Sequence, residues 1–168
     1  MKMAKYKLQA DVKKCIGCHS CEIACKQEFH LPVGPMPIRV VKIGPRMING
    51  GLRTDYVPVF CKHCEDAPCI RACPEHALYK RPDGIVMVNK EKCIGCQLCI
   101  DACPINAPQF NPELGKIELC NLCAHRIEKG EKPLCVLVCP ARCLYFGETT
   151  EVNKKMQEIK VKDVFNFK

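Results

Sequence analysis

The sequence predicts an α+β fold of two pseudo-symmetric modules, made of short strands and short helices and interrupted by an inserted hairpin. Three observations carry that reading. Of 168 residues 17 are cysteine, and sixteen of these fall into four groups of four. With the cysteines set aside the apolar share drops to about 38%, with no Trp and 6% aromatic residues, so an ordinary hydrophobic core is thin. Small chains that bury so little apolar surface rely on disulfides or metals as staples. Between the groups, pairs of short β-rich runs flank turn residues, the signature of hairpins rather than of long helices.

In chain order, residues 6–10 alternate and read as an edge strand. The first group, Cys15-Ile-Gly-Cys18-His-Ser-Cys21-Glu-Ile-Ala-Cys25, leads into a helix over 21–29, which runs on because Lys26 stands where the other groups have proline. Residues 30–60 hold strand material at 38–43 and 52–60, punctuated by Pro32, Gly34, Pro35, Pro37, Gly44, Pro45, Gly50 and Gly51, and read as the inserted hairpin. The second group is Cys61-Lys-His-Cys64-Glu-Asp-Ala-Pro-Cys69-Ile-Arg-Ala-Cys73-Pro74, with a short helix over 69–73 that the proline stops. Arg-Pro-Asp-Gly at 81–84 turns a hairpin of 77–80 and 85–88.

The third group, Cys93-Ile-Gly-Cys96-Gln-Leu-Cys99-Ile-Asp-Ala-Cys103-Pro104, repeats the first, with a helix over 99–103. A second hairpin follows, 107–110 and 116–119 around Asn111-Pro-Glu-Leu-Gly115. The fourth group is the loosest: Cys120-Asn-Leu-Cys123, then Cys135-Val-Leu-Val-Cys139-Pro140 with a helix over 135–139. The tail, 148–168, is charged, with Val152, Met156, Ile159 and Val161 near helical spacing and Thr149 or Thr150 as N-cap. It reads as a helix packed on its own domain, with docking on another chain as the alternative.

Which staple is used follows from compartment and spacing. Residues 1–14 carry no apolar h-region, no small-residue cleavage site and no twin arginine, so a cytoplasmic chain is expected. Disulfide frameworks belong to oxidising compartments, and an odd cysteine count leaves a thiol over. The spacing C-x2-C-x2-C-x3-C-P is instead a 4Fe-4S run, in which three cysteines in a tight loop hold one cluster and the fourth reaches the other cluster of a pair. Gly17 and Gly95 allow the backbone to approach the cluster. Zinc is the competing metal, strongest at the fourth group, where Cys120 and Cys123 read as a knuckle with a distant partner.

Separation along the chain suggests the pairing. Groups two and three are joined by 19 residues, the reach of one hairpin, so they share a module, and groups one and four share the other. The expected sets are Cys15, Cys18, Cys21 and Cys139 (site A); Cys25, Cys120, Cys123 and Cys135 (site B); Cys61, Cys64, Cys69 and Cys103 (site C); and Cys73, Cys93, Cys96 and Cys99 (site D). Cys143 is left over and reads as a small buried hydrophobe, not a ligand. The expected division is 5–29 with 105–147, the hairpin 30–60, 61–104, and the tail 148–168.

The four-group order, with Cys61-x2-Cys64-x4-Cys69-x3-Cys73-Pro74 and Cys120-x2-Cys123-x11-Cys135-x3-Cys139-Pro140 running into Phe146-Gly147, resembles the four-cluster ferredoxin-like subunits of the dimethyl-sulfoxide-reductase type, over residues 5 to about 147. The resemblance implies bacterial-ferredoxin-like modules, four 4Fe-4S clusters and a partner that is the catalytic subunit of a molybdenum or tungsten oxidoreductase. It supports the pairing of one with four and two with three. Larger members carry long insertions and often a membrane helix or membrane partner. The compact chain is more similar to the soluble partners of tungsten aldehyde oxidoreductases and of benzoyl-CoA reductase complexes.

Other functions find little support. No apolar run approaches the ~18 residues of a membrane span, the longest being 134–138. The formal charge of +8 raises the question of nucleic acid, but the basic residues are dispersed and no recognised module is present. Four oxidised clusters with their thiolates contribute about -8, which the lysines and arginines offset. His19, His30, His63, His76 and His125 have no spacing that builds a metal triad; they read as loop histidines, with His19, His63 and His125 near enough to the cysteines to tune them. No nucleophile, acid-base pair or nucleotide fingerprint is present. The expected function is one-electron relay for a catalytic oxidoreductase subunit, with a second donor or acceptor subunit at the other end. The hairpin and tail are the expected contact segments. The alternatives are a polyferredoxin, free or associated with a hydrogenase or formate dehydrogenase, and a zinc-dependent interaction module.

Overall fold

The computed structural model describes residues 4–165, and an α+β architecture holds across them. Eight strands form four antiparallel two-stranded sheets: β1 (Tyr6–Ala10) with β8 (Leu144–Glu148), β2 (Ile38–Ile48) with β3 (Gly51–Phe60), β4 (Leu78–Lys80) with β5 (Val86–Val88), and β6 (Gln109–Asn111) with β7 (Lys116–Glu118). Both short hairpins follow the turn chemistry read from the sequence. The inserted hairpin is longer than expected, because β2 continues past Gly44 and Pro45 through a register shift between Ile43 and Arg46. Strand β8 has no counterpart among the expected elements; it pairs Tyr6 with Glu148 through Ala10 with Leu144 and so brings two distant segments of the chain together.

Helix α1 (Ser20–Glu28) is the only one in the cysteine groups with more than a single turn. Its Lys26 is not a passive substitute for proline, since its ammonium donates to the Pro32 and Pro35 carbonyls and folds the following loop back on the helix. Helices α2 (Pro68–Arg71), α3 (Leu98–Asp101), α4 (Ala124–Ile127) and α5 (Leu134–Leu137) are four residues each, too short to persist without tertiary support. Each holds or adjoins a cysteine. Helix α6 (Thr149–Phe165) packs on β1 and β8 through buried Val152. Thr149 does not cap it: its hydroxyl donates to the Ala4 carbonyl at 2.5 Å, tying the helix start to the lead-in of β1. The tail residues 166–168 lie outside the described part. Among the described residues no helix is long and apolar enough to cross a membrane.

Two cores divide the molecule. One gathers Cys61, Cys69, Cys73, Cys93 and Cys99 with Ala77, Leu78, Val86, Ala107, Ile117 and Leu119. The β6–β7 hairpin thus packs with residues 61–104, although spacing alone grouped 105–147 with the other module. The second core joins Leu8, Ile38, Phe60, Leu122 and Leu144 to Cys21, Cys25, Cys135 and Cys143. Ile85, from the β4–β5 turn, is buried in this second core, so one hairpin stitches both. The base of the inserted hairpin is clamped between them: Arg39 donates to the Ile105 and Asn106 carbonyls at 2.7 and 2.9 Å, and the Val40 N–H donates to Glu22 of α1.

Candidate metal centres

Each C-x-x-C segment turns in the same way. The residue before the second cysteine is left-handed in all four: Gly17 (φ 68°), His63 (48°), Gly95 (71°) and Leu122 (55°). That kink curls the loop so that flanking thiols face a common point, and glycine adopts it without strain. The two glycines also answer a packing demand. A Cβ on Gly17 would run into the Tyr56 ring of β3, and one on Gly95 would run into the Gly115 carbonyl oxygen.

Four cavities result, three walled by four cysteines and one by five, the fifth being Cys143. The first takes Cys15, Cys18, Cys21 and Cys139; the second, Cys25, Cys120, Cys123 and Cys135. The third takes Cys61, Cys64, Cys69 and Cys103; the fourth, Cys73, Cys93, Cys96 and Cys99. The remaining walls are mainly apolar, for instance Val40, Pro58 and Leu144 at site A and Ala67, Val86 and Leu119 at site C. Among the described residues no three His, Cys, Asp or Glu side chains are arranged to hold a single metal ion. The thiols stand around a space instead of converging on a point.

Electrostatics say what that space requires. Burial, followed by neighbouring acids and thiols, pushes Cys21 and Cys25 up to about 12, and burial with Cys69 and Cys73 does the same for Cys99. Cys61 and Cys135 are pushed up further by burial and by surrounding sulfurs. Such thiols hold their protons unless a multivalent cationic centre is present, in which case a coordinating thiol is deprotonated outright. Backbone donors already point at three of the sulfurs: His63 N–H to Cys61 at 3.3 Å, Ala77 N–H to Cys73 at 3.2 Å and Ala107 N–H to Cys103 at 3.4 Å. Thiol walls with amide donors and apolar surroundings fit a 4Fe-4S core.

The same influences give the sites an order. Cys135 of site B feels Cys21 of site A, Cys61 of site C feels Cys120 of site B, and Cys99 of site D feels Cys69 of site C. Site A therefore neighbours B, B neighbours C, and C neighbours D. Cys18, Cys64 and Cys96 are exposed, so sites A, C and D each approach the surface through one cysteine.

The chain is matched over residues 52–149 by the model of the 4Fe-4S dicluster domain and over residues 13–28 by that of a 4Fe-4S binding domain. It belongs to the 4Fe-4S dicluster family. The thiosulfate reductase electron transfer subunit of Salmonella typhi is 41% identical, covering 88% of this chain and 78% of that protein. The B subunit of the anaerobic dimethyl sulfoxide reductase of Escherichia coli is 38% identical over 90% of this chain and 77% of its own length. The formate dehydrogenase iron-sulfur subunit of Wolinella succinogenes is 35% identical over 92% and 87%. Within the family this is a ferredoxin-like electron-transfer subunit of the dimethyl-sulfoxide-reductase type, with 4Fe-4S clusters as cofactors.

The histidines take separate parts in this iron-sulfur subunit. His63 is buried, and its Nδ1 accepts from the Val86 N–H at 3.0 Å, bracing the Cys61–Cys64 loop on β5. Burial brings its pKa down to about 4, so the ring is neutral with its proton on Nε2. His19 pairs with Glu22 at 2.9 Å and His125 with Glu28 at 2.8 Å, both on exposed faces. His30 and His76 are left-handed loop residues. Cys143 is buried as expected of a small hydrophobe, but it lines the site A cavity, with its Sγ 3.5 Å from that of Cys139.

Proposed function

We propose that the sixteen cysteines of sites A to D hold four 4Fe-4S clusters in the sets that wall the four cavities, and that the chain relays single electrons between a catalytic molybdenum or tungsten oxidoreductase subunit and a second donor or acceptor subunit. The observation that carries this reading is the pairing of sites across cysteine groups: each cavity draws one cysteine from a distant turn or helix, as a paired-cluster module requires. When bound, a 4Fe-4S core supplies reversible one-electron transfer with little change in ligation. The chain's own contribution is thiolate charge, amide donors to sulfur, and apolar walls that exclude water.

Two modules, one around sites A and B and one around sites C and D, meet where Cys61 faces Cys120. Lys62 stands at that junction with its ammonium 4.0 Å from the Phe60 ring centroid and within electrostatic reach of Cys61, Cys64 and Cys120, where its charge offsets that of the thiolates. The exposed cysteines of the first and last sites in this order, Cys18 and Cys96, mark the docking points for the two partners. The relatives' names support a reductase or dehydrogenase as client; a tungsten aldehyde oxidoreductase or a benzoyl-CoA reductase complex is the narrower form of the same reading.

Iron, acid-labile sulfide and zinc per chain in the anaerobically purified native complex test this, with the co-purifying subunits identified in the same sample. About sixteen iron is expected, beside a molybdenum- or tungsten-containing subunit. About twelve iron plus zinc would remove the Cys120 site from the relay, and a complex without either metal subunit would overturn the client.

A further inference from the structure

The three Cys-Pro turns of the chain share one conformation and differ at one atom. After Cys73-Pro74, Cys103-Pro104 and Cys139-Pro140, the third residue beyond the cysteine is left-handed, with φ 46°, 47° and 47° at His76, Asn106 and Arg142. The next residue is then driven inward: Ala77, Ala107 and Cys143 are 0%, 2% and 3% exposed. In the first two turns that residue is alanine, and its backbone N–H donates to the sulfur of the cysteine four residues before it. In the third it is cysteine, and a side-chain sulfur stands 3.5 Å from Cys139 Sγ. Its backbone is pinned there, because the Cys143 carbonyl accepts from the Asp11 N–H at 2.8 Å. Cys15, a second sulfur of the same site, lines the same cavity.

We propose that Cys143 is a positioning residue of site A, whose S–H donates a hydrogen bond to the Cys139 sulfur and raises the reduction potential of the cluster that Cys139 helps to hold. This rests on the cluster reading above. A cysteine bound to iron has no proton to give, so between the two sulfurs Cys143 is the donor. A fifth thiolate in this buried place would add an uncompensated negative charge, which keeps Cys143 protonated beside its neighbours. The bond stabilises the added negative charge of the reduced state more than the oxidised state, and hydrogen bonds to sulfur are among the levers that set cluster potential. At sites C and D this position is alanine and the donor to the ligand sulfur is its backbone N–H, so a side-chain S–H donor distinguishes site A from them.

The test is Cys143→Ala, which installs the residue the other two turns already use and so leaves the packing intact. In the anaerobically purified complex, redox titration followed by EPR should show unchanged iron and one centre harder to reduce, its reduction equilibrium shifted about tenfold, or about 59 mV. That centre is the one lost in a Cys139→Ser control. Cys143→Ser, which keeps a donor, should move it back toward wild type. Four unchanged potentials on full iron would reduce Cys143 to a space filler, and loss of about four iron in Cys143→Ala would make it a ligand; either overturns the proposal alone. A wild-type complex with no centre answering to Cys139→Ser would instead overturn the cluster reading, and this inference with it.

Discussion

Cysteine groups two and three are separated by 19 residues folded around the β4–β5 hairpin, whereas groups one and four meet through long-range contacts, β1 with β8 and α1 with α5, across almost the whole chain. The inner module is thus assembled from local contacts. The outer one waits for a long-range strand pair and for a core in which Leu8, Ile38, Phe60 and Leu144 come from four separate strands. Long-range contacts carry a larger loop-closure entropy and form later. The two halves have the same chemistry, yet the outer half depends more on packing outside its cysteine loops.

The largest effect is expected from breaking that packing. Leu8 is 4% exposed and faces Phe146 across the β1–β8 ladder. Leu8→Asp buries an unpaired carboxylate at a cost of several kcal/mol. Iron should fall to about eight per chain, with sites C and D retained. If all four sites vanish together, the halves are one cooperative unit and the comparison fails.

A smaller and sharper contrast lies in the two glycines. Gly95→Ala drives a Cβ into the Gly115 backbone, whereas Gly17→Ala meets the half-buried Tyr56 side chain, which has torsional freedom that backbone lacks. Both incur about 1–3 kcal/mol of left-handed strain. Gly95→Ala should lose about 2 kcal/mol more than Gly17→Ala in denaturant unfolding of the cluster-loaded protein, and Tyr56→Ala should rescue only Gly17→Ala. Equal losses would show that backbone strain alone sets the requirement.

The smallest effect concerns a tie within the outer module. Glu28 of α1 accepts from His125 at 2.8 Å and Arg126 at 3.3 Å on α4. His125 first, then Arg126, hold its carboxyl below the ordinary value of 4.5. A depressed folded-state pKa gives stability that is present above the unfolded value and lost as pH falls through the folded one. Glu28→Gln should therefore cost under about 1 kcal/mol near neutrality, and the difference from wild type should shrink in acid. A constant difference across that range in pH-dependent unfolding would assign the effect to packing.

Much of this molecule is legible before it folds. The C-x-x-C loops announce their chemistry because three ligands of each regular group lie within seven residues, where chain stiffness alone brings them together. The two short hairpins are legible for a similar reason: Arg-Pro-Asp-Gly and the Asn111–Gly115 turn act on their nearest neighbours. By contrast β8, a five-residue run containing Gly147, has no strong signal of its own and exists because β1 lies beside it. The β2 extension past Gly44-Pro45 likewise depends on its partner strand. For Cys143 a signal is present, the Cys-Pro-x-x repeat with alanine at Ala77 and Ala107, but its meaning needs the shared left-handed turn.

By itself, then, the sequence determined the metal chemistry and the local loops, because ligand type and short-range spacing decide these. Tertiary structure alone decided which core holds the β6–β7 hairpin, the order of the four sites, and the approach of Cys143 to Cys139. Those depend on packing free energies summed over residues far apart in the chain, where no local pattern carries the information.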